Sequence, residues 1–553
     1  MTLPRKVQHY RQLGLDLSEE GPNTRTLLFA ASLAGTATFG MWASPSIAQD
    51  NVDQQFGTVH FATSCNETAQ RRFDRAMRYQ HSFWYKASRE IFEEALKADP
   101  ECGIAYWGIA LGLLDNPHIA PPAPNLPLGL AAIQAAKATG AKTQRERDYI
   151  DALALMYVDY DKTPRAARIQ SYLKAMEALA ARYPDDDEAQ ILYAITLNVA
   201  ASPSDKTYAY QLKGAAILEP IFKRQPRHPG VAHYLIHLYD YPVIAERGLD
   251  AARRYAEIAP AAPHALHMPS HIFTRVGYWK ESIASNVASA KAAKAEKSVT
   301  DQLHAQDYLV YAYLQLDQDK DARAVVDDMA VANVDSPFAF PAYFARAAAP
   351  ARYMVERGDW KGAAELEVEP CNFPHVMAIT YFARALGAAR SGNSQAASAE
   401  IAKLGELRGK LADAKDAYWS QIVDIQRQVA TAWQLYAEGK YDEALNAMRA
   451  AADAEEKTDK HPVTPGPLAP ARELYGFMLL DNGMISGALA AFEATLAKQP
   501  GRFNGFAGAA QAAVALGDTT KAKALYEKLV ALASAADDDR PALAAAKAFL
   551  AKN

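Results

Sequence analysis

Hydrophobic residues recur along this chain at helical spacing, and no segment keeps the alternation of apolar and polar positions that marks a strand. A longer repeat of about 34 residues lies over this helical pattern. In its clearest copy, small, aromatic and proline residues stand at repeat offsets 8, 11, 24, 27 and 32, namely Ala76, Tyr79, Phe92, Ala95 and Pro100. These offsets are those of the tetratricopeptide repeat.

The repeat has a direct physical interpretation. Small residues allow two antiparallel helices to approach closely, aromatic residues fill the space between them, and the proline ends the second helix. One helical hairpin cannot bury its own apolar face, so neighbouring hairpins must stack. The sequence therefore predicts an all-α fold, a tetratricopeptide-type α-solenoid in which the hairpins form a superhelix. Further units are centred on glycines: Gly277, Gly358, Gly392, Gly439, Gly483 and Gly517.

The first 48 residues have the pattern of an export signal. Basic residues precede an apolar stretch from Leu27 to Ala43, and Ser46 and Ala48 are the small residues that signal peptidase accepts before its cleavage point. Cleavage after Ala48 would place the protein in the bacterial periplasm or outside the cell. An uncleaved membrane anchor is the alternative, because the apolar run approaches the roughly 20 residues that span a bilayer.

The remaining chain divides by composition. We expect a first solenoid over residues 49–330, central repeats over 331–454, a Pro-rich linker over 455–470, and C-terminal repeats over 471–553. Three cysteines bear on the compartment. In an oxidising environment Cys65 and Cys102 could form a disulfide that leaves Cys371 over, and three buried thiols are the alternative.

The charge balance of the chain argues against one class of function, nucleic-acid binding. The 59 basic and 64 acidic residues leave a net charge of −5, and the basic residues are not clustered, so nucleic-acid binding is not expected. The sequence also lacks a Gly-rich phosphate loop, a nucleophile elbow and a Cys-x-x-Cys motif.

The histidines are the chemically informative residues. Six of the 13 lie between His228 and His271. His233 and His237 are four residues apart, as are His267 and His271, so each pair shares one face of a helix. His264 precedes the second pair by one turn, and His304 is followed by Asp307 three residues later. Each of these spacings allows two side chains to reach one cation.

The repeat register places these residues in the first helices of three successive hairpins, at the offsets that line the concave face. We therefore predict a transition-metal site (Cu, Zn or Fe) with His233, His237, His267 and His271 as ligands. His264, His304, Asp240 and Asp307 are further candidates, as an additional ligand or as acceptors that orient the imidazoles. Because HYLIH is not HExxH, the general base of a zincin peptidase is missing.

Two other interpretations stay open. The histidines could be hydrogen-bond partners in a metal-free groove that holds a peptide or partner protein, as in tetratricopeptide adaptors, or polar residues of the packing. Pro269 adds a local prediction, since the helix either begins there or bends beside the histidines. His81 and His118 are each alone in their segments and are predicted to be structural, and His375 and His461 receive no role.

The chain resembles a family of exported bacterial tetratricopeptide-repeat proteins, most of which have no assigned function. The resemblance extends from about residue 59 to 517 and rests on motifs such as RYQHSFWYKASREIF, TQRERDYIDAL, HPGVAHYLIHLYDYP, APHALHMPSHIFTRVGYW and HPVTPGPLAPARELYGFMLL. It implies a helical-repeat fold and export. It implies no reaction, so no catalytic residue is carried over from it.

Overall fold

The computed structural model describes residues 54–537 and 540–552. Within these ranges the chain is helical and contains no strand, which confirms the all-α prediction. The predicted export signal lies outside the described residues. No described helix combines the length and the apolar character that crossing a membrane requires.

The helices follow one another in short hairpins, and each packs mainly on its neighbours in sequence. In chain order they are α1 (Glu67–His81), α2 (Tyr85–Ala98), α3 (Gly103–Leu113), α4 (Asn125–Thr139), α5 (Gln144–Ala154), α6 (Arg165–Arg182), α7 (Asp187–Ala200), α8 (Ala209–Arg224), α9 (Pro229–Tyr239), α10 (Leu249–Ile258), α11 (Pro263–His267), α12 (Pro269–Val276) and α13 (Trp279–Ala295). They continue with α14 (Val299–Gln315), α15 (Asp319–Ala330), α16 (Phe340–Arg357), α17 (Trp360–Ala364), α18 (Pro374–Arg390), α19 (Ser394–Asp413), α20 (Ala417–Ala437), α21 (Tyr441–Glu456), α22 (Ala471–Asp481), α23 (Ile485–Lys498), α24 (Phe503–Ala515), α25 (Thr519–Leu532) and α26 (Pro541–Leu550). Short 3₁₀ helices cover Gln54–Phe56 and Ala245–Gly248.

The repeat pattern accounts for this arrangement. Ala76, Phe92 and Ala95 are fully buried between α1 and α2, where the repeat places its small and aromatic residues. The glycines that centre the other units all have positive φ angles in the turns between helices, a conformation that a Cβ atom disfavours. These local signals fix where each hairpin turns, and stacking of the hairpins buries their apolar faces.

The C-terminal repeats pack against repeats from the middle of the chain. The indole Nε1 of Trp279 donates to the carbonyl of Gly501 at 2.7 Å. The buried guanidinium of Arg502 donates to Glu356 and Glu473 at 2.7 Å each and to the hydroxyl of Tyr311 at 2.8 Å. This buried ionic network connects repeats that lie far apart in sequence.

A disulfide joins the start of α1 to the turn before α3. Cys65 and Cys102 are bonded, with their Cα atoms 5.0 Å apart, so the structure supports the bridge over the alternative of three thiols. Cys371 is a half-buried free thiol.

Candidate metal centre

Helix α9 carries the first pair of histidines through the middle of the protein. Pro229 occupies its first turn, where a missing N–H costs nothing, and every residue of the helix is buried. A Cβ atom on Gly230 would lie 2.4 Å from Nδ1 of His81. This close approach sets α9 directly against the end of α1, and His233 and His237 follow on one face.

Two prolines divide the next histidine segment into separate short helices. Helix α11 begins at Pro263 and carries His264 and His267, and α12 begins at Pro269 and carries His271. Of the two predictions for Pro269, the start of a helix is therefore confirmed. His304 comes from the middle of α14, which packs against α11.

The first histidine group joins α9 to α11. Nε2 of His233 lies 3.1 Å from Nε2 of His237 and 3.1 Å from Nε2 of His264. One nitrogen from each of the three rings falls within 4.8 Å of the others. His233 and His237 are buried and His264 is half-buried.

The second group joins α11, α12 and α14. Nε2 of His267 lies 3.0 Å from Nε2 of His271, and His304 completes a set whose ligand nitrogens are again within 4.8 Å of one another. His267 and His271 are buried, and His304 is half-buried with an Nδ1 atom that is enclosed and has no hydrogen-bond partner.

Oxygen acceptors behind the rings fix the position of the protons. Nδ1 of His233 lies 2.7 Å from the carbonyl oxygen of His81, and Nδ1 of His271 lies 2.9 Å from Oδ2 of Asp240. Nδ1 of His267 lies 2.6 Å from Oδ1 of Asn286. Since these oxygens accept hydrogen bonds, each Nδ1 carries the proton and each Nε2 presents a lone pair to its group.

The rings are uncharged at ordinary pH. Burial lowers the pKa of His233 and of His304 to about 3. Burial, together with repulsion between neighbouring rings, also holds the pKa values of His237, His264 and His267 well below the ordinary value. Neutral imidazole is the form that ligates metal ions.

The acceptors at the Nδ1 atoms leave no proton for a hydrogen bond between the Nε2 atoms of His267 and His271. Nε2 of His267 and Nε2 of His271 both present lone pairs, so no hydrogen joins them across their 3.0 Å separation. Two imidazole nitrogens bound to one ion at about 2.0–2.1 Å lie roughly 3 Å apart when the ligand angle is near a right angle. The two nitrogens are therefore close enough to bind one cation.

The four histidines expected to meet at one point are instead divided between the two groups. His233 and His237 belong to the first and His267 and His271 to the second, with His264 and His304 as the third members. The groups adjoin, since the ring centroids of His237 and His271 are 5.9 Å apart and those of His264 and His267 are 6.1 Å apart. The single four-histidine site expected from the sequence stays a prediction, and the geometry instead favours two sets of three, because His264 and His267 point from adjacent turns of one short helix into different groups.

The two candidate carboxylates have different surroundings. Asp240 accepts from His271, from Lys460 at 2.9 Å and from Arg275 at 2.7 Å. Burial by itself would raise its pKa, but the attraction of Lys460 and Arg275 outweighs burial and holds the pKa well below the ordinary value. Asp240 is thus an ionised acceptor that orients His271. Asp307 is buried on α14, the helix that carries His304. Its carboxylate lies 3.7 Å from Nε of Arg352, and it belongs to neither group.

A third set of buried ionisable side chains lies next to the first histidine group and includes His81, the last residue of α1. Oε2 of Glu188 lies 3.0 Å from Nε2 of His81, and Oε1 lies 2.9 Å from Nε2 of His228. Both carboxylate oxygens therefore already accept a ring N–H. We interpret this set as a hydrogen-bonded support for the end of α1, whose carbonyl at His81 orients His233.

Side chains without a sequence signal enclose the centre. The ring of Phe83, a residue with a φ of 58°, lies 4.3 Å from that of His233 and 5.1 Å from that of His264. The ring of His118 lies 4.4 Å from that of His237, and its Nε2 is buried without a partner. Both residues stand alone in irregular segments without helical spacing, so Phe83 was not singled out by the sequence and His118 was predicted to be structural.

The Pro-rich segment 457–470 also closes over the histidines. Its residue Lys460 binds Asp240, and the hydroxyl of Tyr308, 3.3 Å from Nε2 of His271, is within hydrogen-bond distance of the carbonyls of Pro462 and Thr464. The histidines were expected to line an open concave face. They are enclosed instead, because this segment and the side chains of Phe83 and His118 pack against them.

No protein-family model matches the chain, and no curated protein matches it significantly. Among solved structures, it resembles a chain of the APC/C hetero-tetramer Cut9–Hcn1, with 10% identity over 88% of this chain and 96% of that chain and a TM-score of 0.27. It also resembles a monomeric mutant of IFIT1 with Gppp-AAAA, with 11% identity over 88% of this chain and all of the other and a TM-score of 0.32. TM-scores of this size support no inference about function. The functional argument rests on the chain's own residues.

Proposed function

We propose that this protein binds two transition-metal ions, copper or zinc, one in each histidine group. The observation that carries the proposal is the pair His267 and His271, whose Nε2 lone pairs face each other at 3.0 Å while their Nδ1 protons are bound elsewhere. In a buried site, a cation replaces the repulsion between the lone pairs with two coordinate bonds. The enclosed and unpartnered Nδ1 of His304 supports the same site.

The ligand chemistry favours copper or zinc over the other candidate metals. Both groups supply three imidazoles, and neither contains a carboxylate or a thiolate. Non-haem iron sites commonly combine two histidines with one carboxylate, whereas sets made only of imidazole suit copper and zinc. We therefore place iron last among the three metals expected from the sequence.

Three protein ligands leave a coordination position free on each ion. Such a position binds a water molecule of lowered pKa or a reactant. Enclosure by Phe83 and the 457–470 segment favours a resident metal that serves chemistry over a metal that is passed on. The hydroxyl of Tyr308 lies 3.3 Å from Nε2 of His271, on the side of the ring that would face the ion, and it could orient a molecule bound there.

The test is metal stoichiometry in the mature chain, purified without a histidine tag. We expect two equivalents of copper or zinc by mass spectrometry. The double variant H233Q/H264Q is expected to keep one equivalent, and H267Q/H304Q is expected to keep the other. The matched control is His60→Gln, because His60 is exposed and lies outside both groups; it is expected to keep both.

Different results would overturn particular parts of the proposal. Absence of bound metal after supplementation of a folded protein would remove the centre and leave the metal-free adaptor, whose groove binds a peptide or partner protein. One equivalent in the wild type, lost in both double variants, would indicate a single ion. Circular dichroism of each variant separates lost ligands from lost folding.

We also infer that the protein works outside the cytoplasm. The Cys65–Cys102 disulfide supports this location, because such bonds persist in oxidising compartments. Cell fractionation and N-terminal sequencing test it, with a periplasmic or secreted chain that begins at Gln49 as the expected result. A full-length chain in the cytoplasm would contradict the inference.

A further inference from the structure

A second candidate site lies beside the histidine groups, between α16, α18, α20 and α21. This cavity, with about 100 Å³ of internal space, lies beneath the 457–470 segment. A dry apolar cavity of about 150 Å³ can hold benzene, so the space here suits a molecule of about one ring. Its apolar wall includes Phe344, Ile379, Phe382 and Trp419.

Cationic side chains outnumber carboxylates in the lining. Arg275, Arg352, Lys460 and Lys498 face Glu455 and Asp459. Asp459 is already paired with Lys206 at 2.8 Å, and burial raises the pKa of Glu455 to about 7, which leaves it partly neutral at physiological pH. Outside the lining, Asp240 pairs with Arg275 and Lys460, and Asp307 lies 3.7 Å from Nε of Arg352. Three of the four cations in the lining are therefore already matched by carboxylates, which leaves Lys498.

Lys498 is the cation best placed to receive a ligand. It is the last residue of α23 and half-buried. Among the residues that the structure describes, no carboxylate lies within ion-pair distance of its ammonium group. Burial lowers its pKa and outweighs the attraction of the carboxylates of Glu455 and Asp459, which lie beyond ion-pair distance.

Unpartnered polar atoms in the lining are an independent sign of a missing ligand. His375 is 8% exposed, and neither of its ring nitrogens has a hydrogen-bond partner within residues 54–537 and 540–552. Oε1 of Gln426 and Oγ1 of Thr458 are buried in the same lining and also lack partners. Buried polar groups are rarely left unsatisfied in folded proteins, so a molecule that bonds to them would remove a cost already present in the empty cavity.

We propose that this cavity binds a small organic anion, a carboxylate attached to an apolar body of about the size of one ring. Lys498 would bind the carboxylate, and the phenylalanine wall would cover the apolar body. His375 would donate or accept one hydrogen bond.

The cavity and the metal centre share a wall. Lys460 and Arg275 line the cavity and bind Asp240, which in turn holds His271. A ligand here would lie next to the second histidine group. Its use as a substrate rests on the proposed function, whereas its binding does not.

Isothermal titration calorimetry tests this binding. The sample is the full-length protein, made metal-free with a chelator, and the probes are phenylacetate and the uncharged phenylacetamide. We expect phenylacetate to bind at least tenfold more tightly than the amide, as a charge-assisted hydrogen bond allows. Lys498→Met should remove this preference and leave the weak binding of the amide unchanged. Lys528→Met is the matched control, since Lys528 is exposed on α25 and outside the cavity.

His375→Phe provides a second variant that keeps the fold, because it replaces the unpartnered imidazole with an apolar ring. It should weaken both probes and raise the melting temperature of the empty protein. Absence of saturable binding of either probe, or equal binding of acid and amide in the wild type, would overturn the proposal. Because the protein is metal-free throughout, these results are separate from success or failure of the metal proposal.

Discussion

Nδ1 of His267 donates to Oδ1 of Asn286 at 2.6 Å, and the amide nitrogen of Asn286 donates in turn to the carbonyl of Ser282 at 2.8 Å. The second bond fixes which way the amide faces, so its oxygen is the atom presented to the histidine. Both residues are buried. Helix α13 therefore sets the tautomer of a histidine on α11, although it carries no candidate ligand itself.

Substituting Asn286 is predicted to weaken the second metal site. Asn286→Ala removes the acceptor and frees the ring of His267, and the loss of such an outer partner typically costs 10–100-fold in metal affinity. Asn286→Asp keeps the acceptor and should retain affinity within a few-fold. Competition titration against a chelator of known affinity measures both. The affinity of the first site serves as the internal control, and an unchanged second site in Asn286→Ala would contradict the assignment.

Gly277 is predicted to be intolerant of a side chain because of its contact with the C-terminal repeats. Its φ is 76°, and an added Cβ would lie 2.5 Å from the carbonyl oxygen of Pro500. Gly439 has nearly the same φ, 77°, with open space around it. Both alanine variants incur the left-handed backbone cost of about 1–2 kcal/mol, and Gly277→Ala adds the clash.

Thermal melting of the two variants separates the cost of the left-handed backbone from the cost of the clash with Pro500. We expect Gly277→Ala to lower the melting temperature clearly more than Gly439→Ala. Equal losses would show that the backbone conformation alone matters and that the contact between Gly277 and Pro500 contributes nothing.

Glu455 predicts a pH dependence of stability. Burial raises its pKa to about 7 in the folded chain, while the unfolded value is about 4.3. The folded state therefore holds a proton that the unfolded state has released, and the contribution of Glu455 to stability falls as pH rises from about 4 to 7. The slope is at most about 1.4 kcal/mol per pH unit.

Glu455→Gln removes this titration and keeps an acceptor for the backbone N–H of Ala471, which Glu455 binds at 2.9 Å. Denaturant unfolding at pH 5, 6 and 7 measures the free energy of unfolding. Between pH 5 and pH 7 this free energy should fall less in the variant than in the wild type. Parallel curves for the two proteins would show that Glu455 titrates normally.

The disulfide is predicted to contribute substantially to stability. It closes a loop across a sequence separation of 37 residues, for which chain entropy gives about 4 kcal/mol. Cys65→Ser combined with Cys102→Ser should lower the free energy of unfolding by about that amount. Cys371→Ser is the control, since this cysteine is free. Reductant should destabilise the wild type and leave the double variant unchanged.

The helical hairpins and the chemical identity of the candidate ligands could be predicted from the amino-acid pattern. Positions such as Ala76 and Phe92 carry local packing requirements, and the i, i+4 spacing of His233 and His237 follows from one helix alone. Such features depend on residues within about one repeat, so a pattern along the chain is enough to predict them.

The grouping and the enclosure of those candidate ligands depend on contacts between repeats and could not be predicted from the pattern. The division between His264 and His267 depends on how α11 is seated between α9 and α14, which no spacing within α11 encodes. The acceptors at His81, Asp240 and Asn286, and the segment that carries Lys460, reach the histidines from distant parts of the chain. Their positions follow from packing between repeats, where the energy depends on three-dimensional contacts and not on local periodicity.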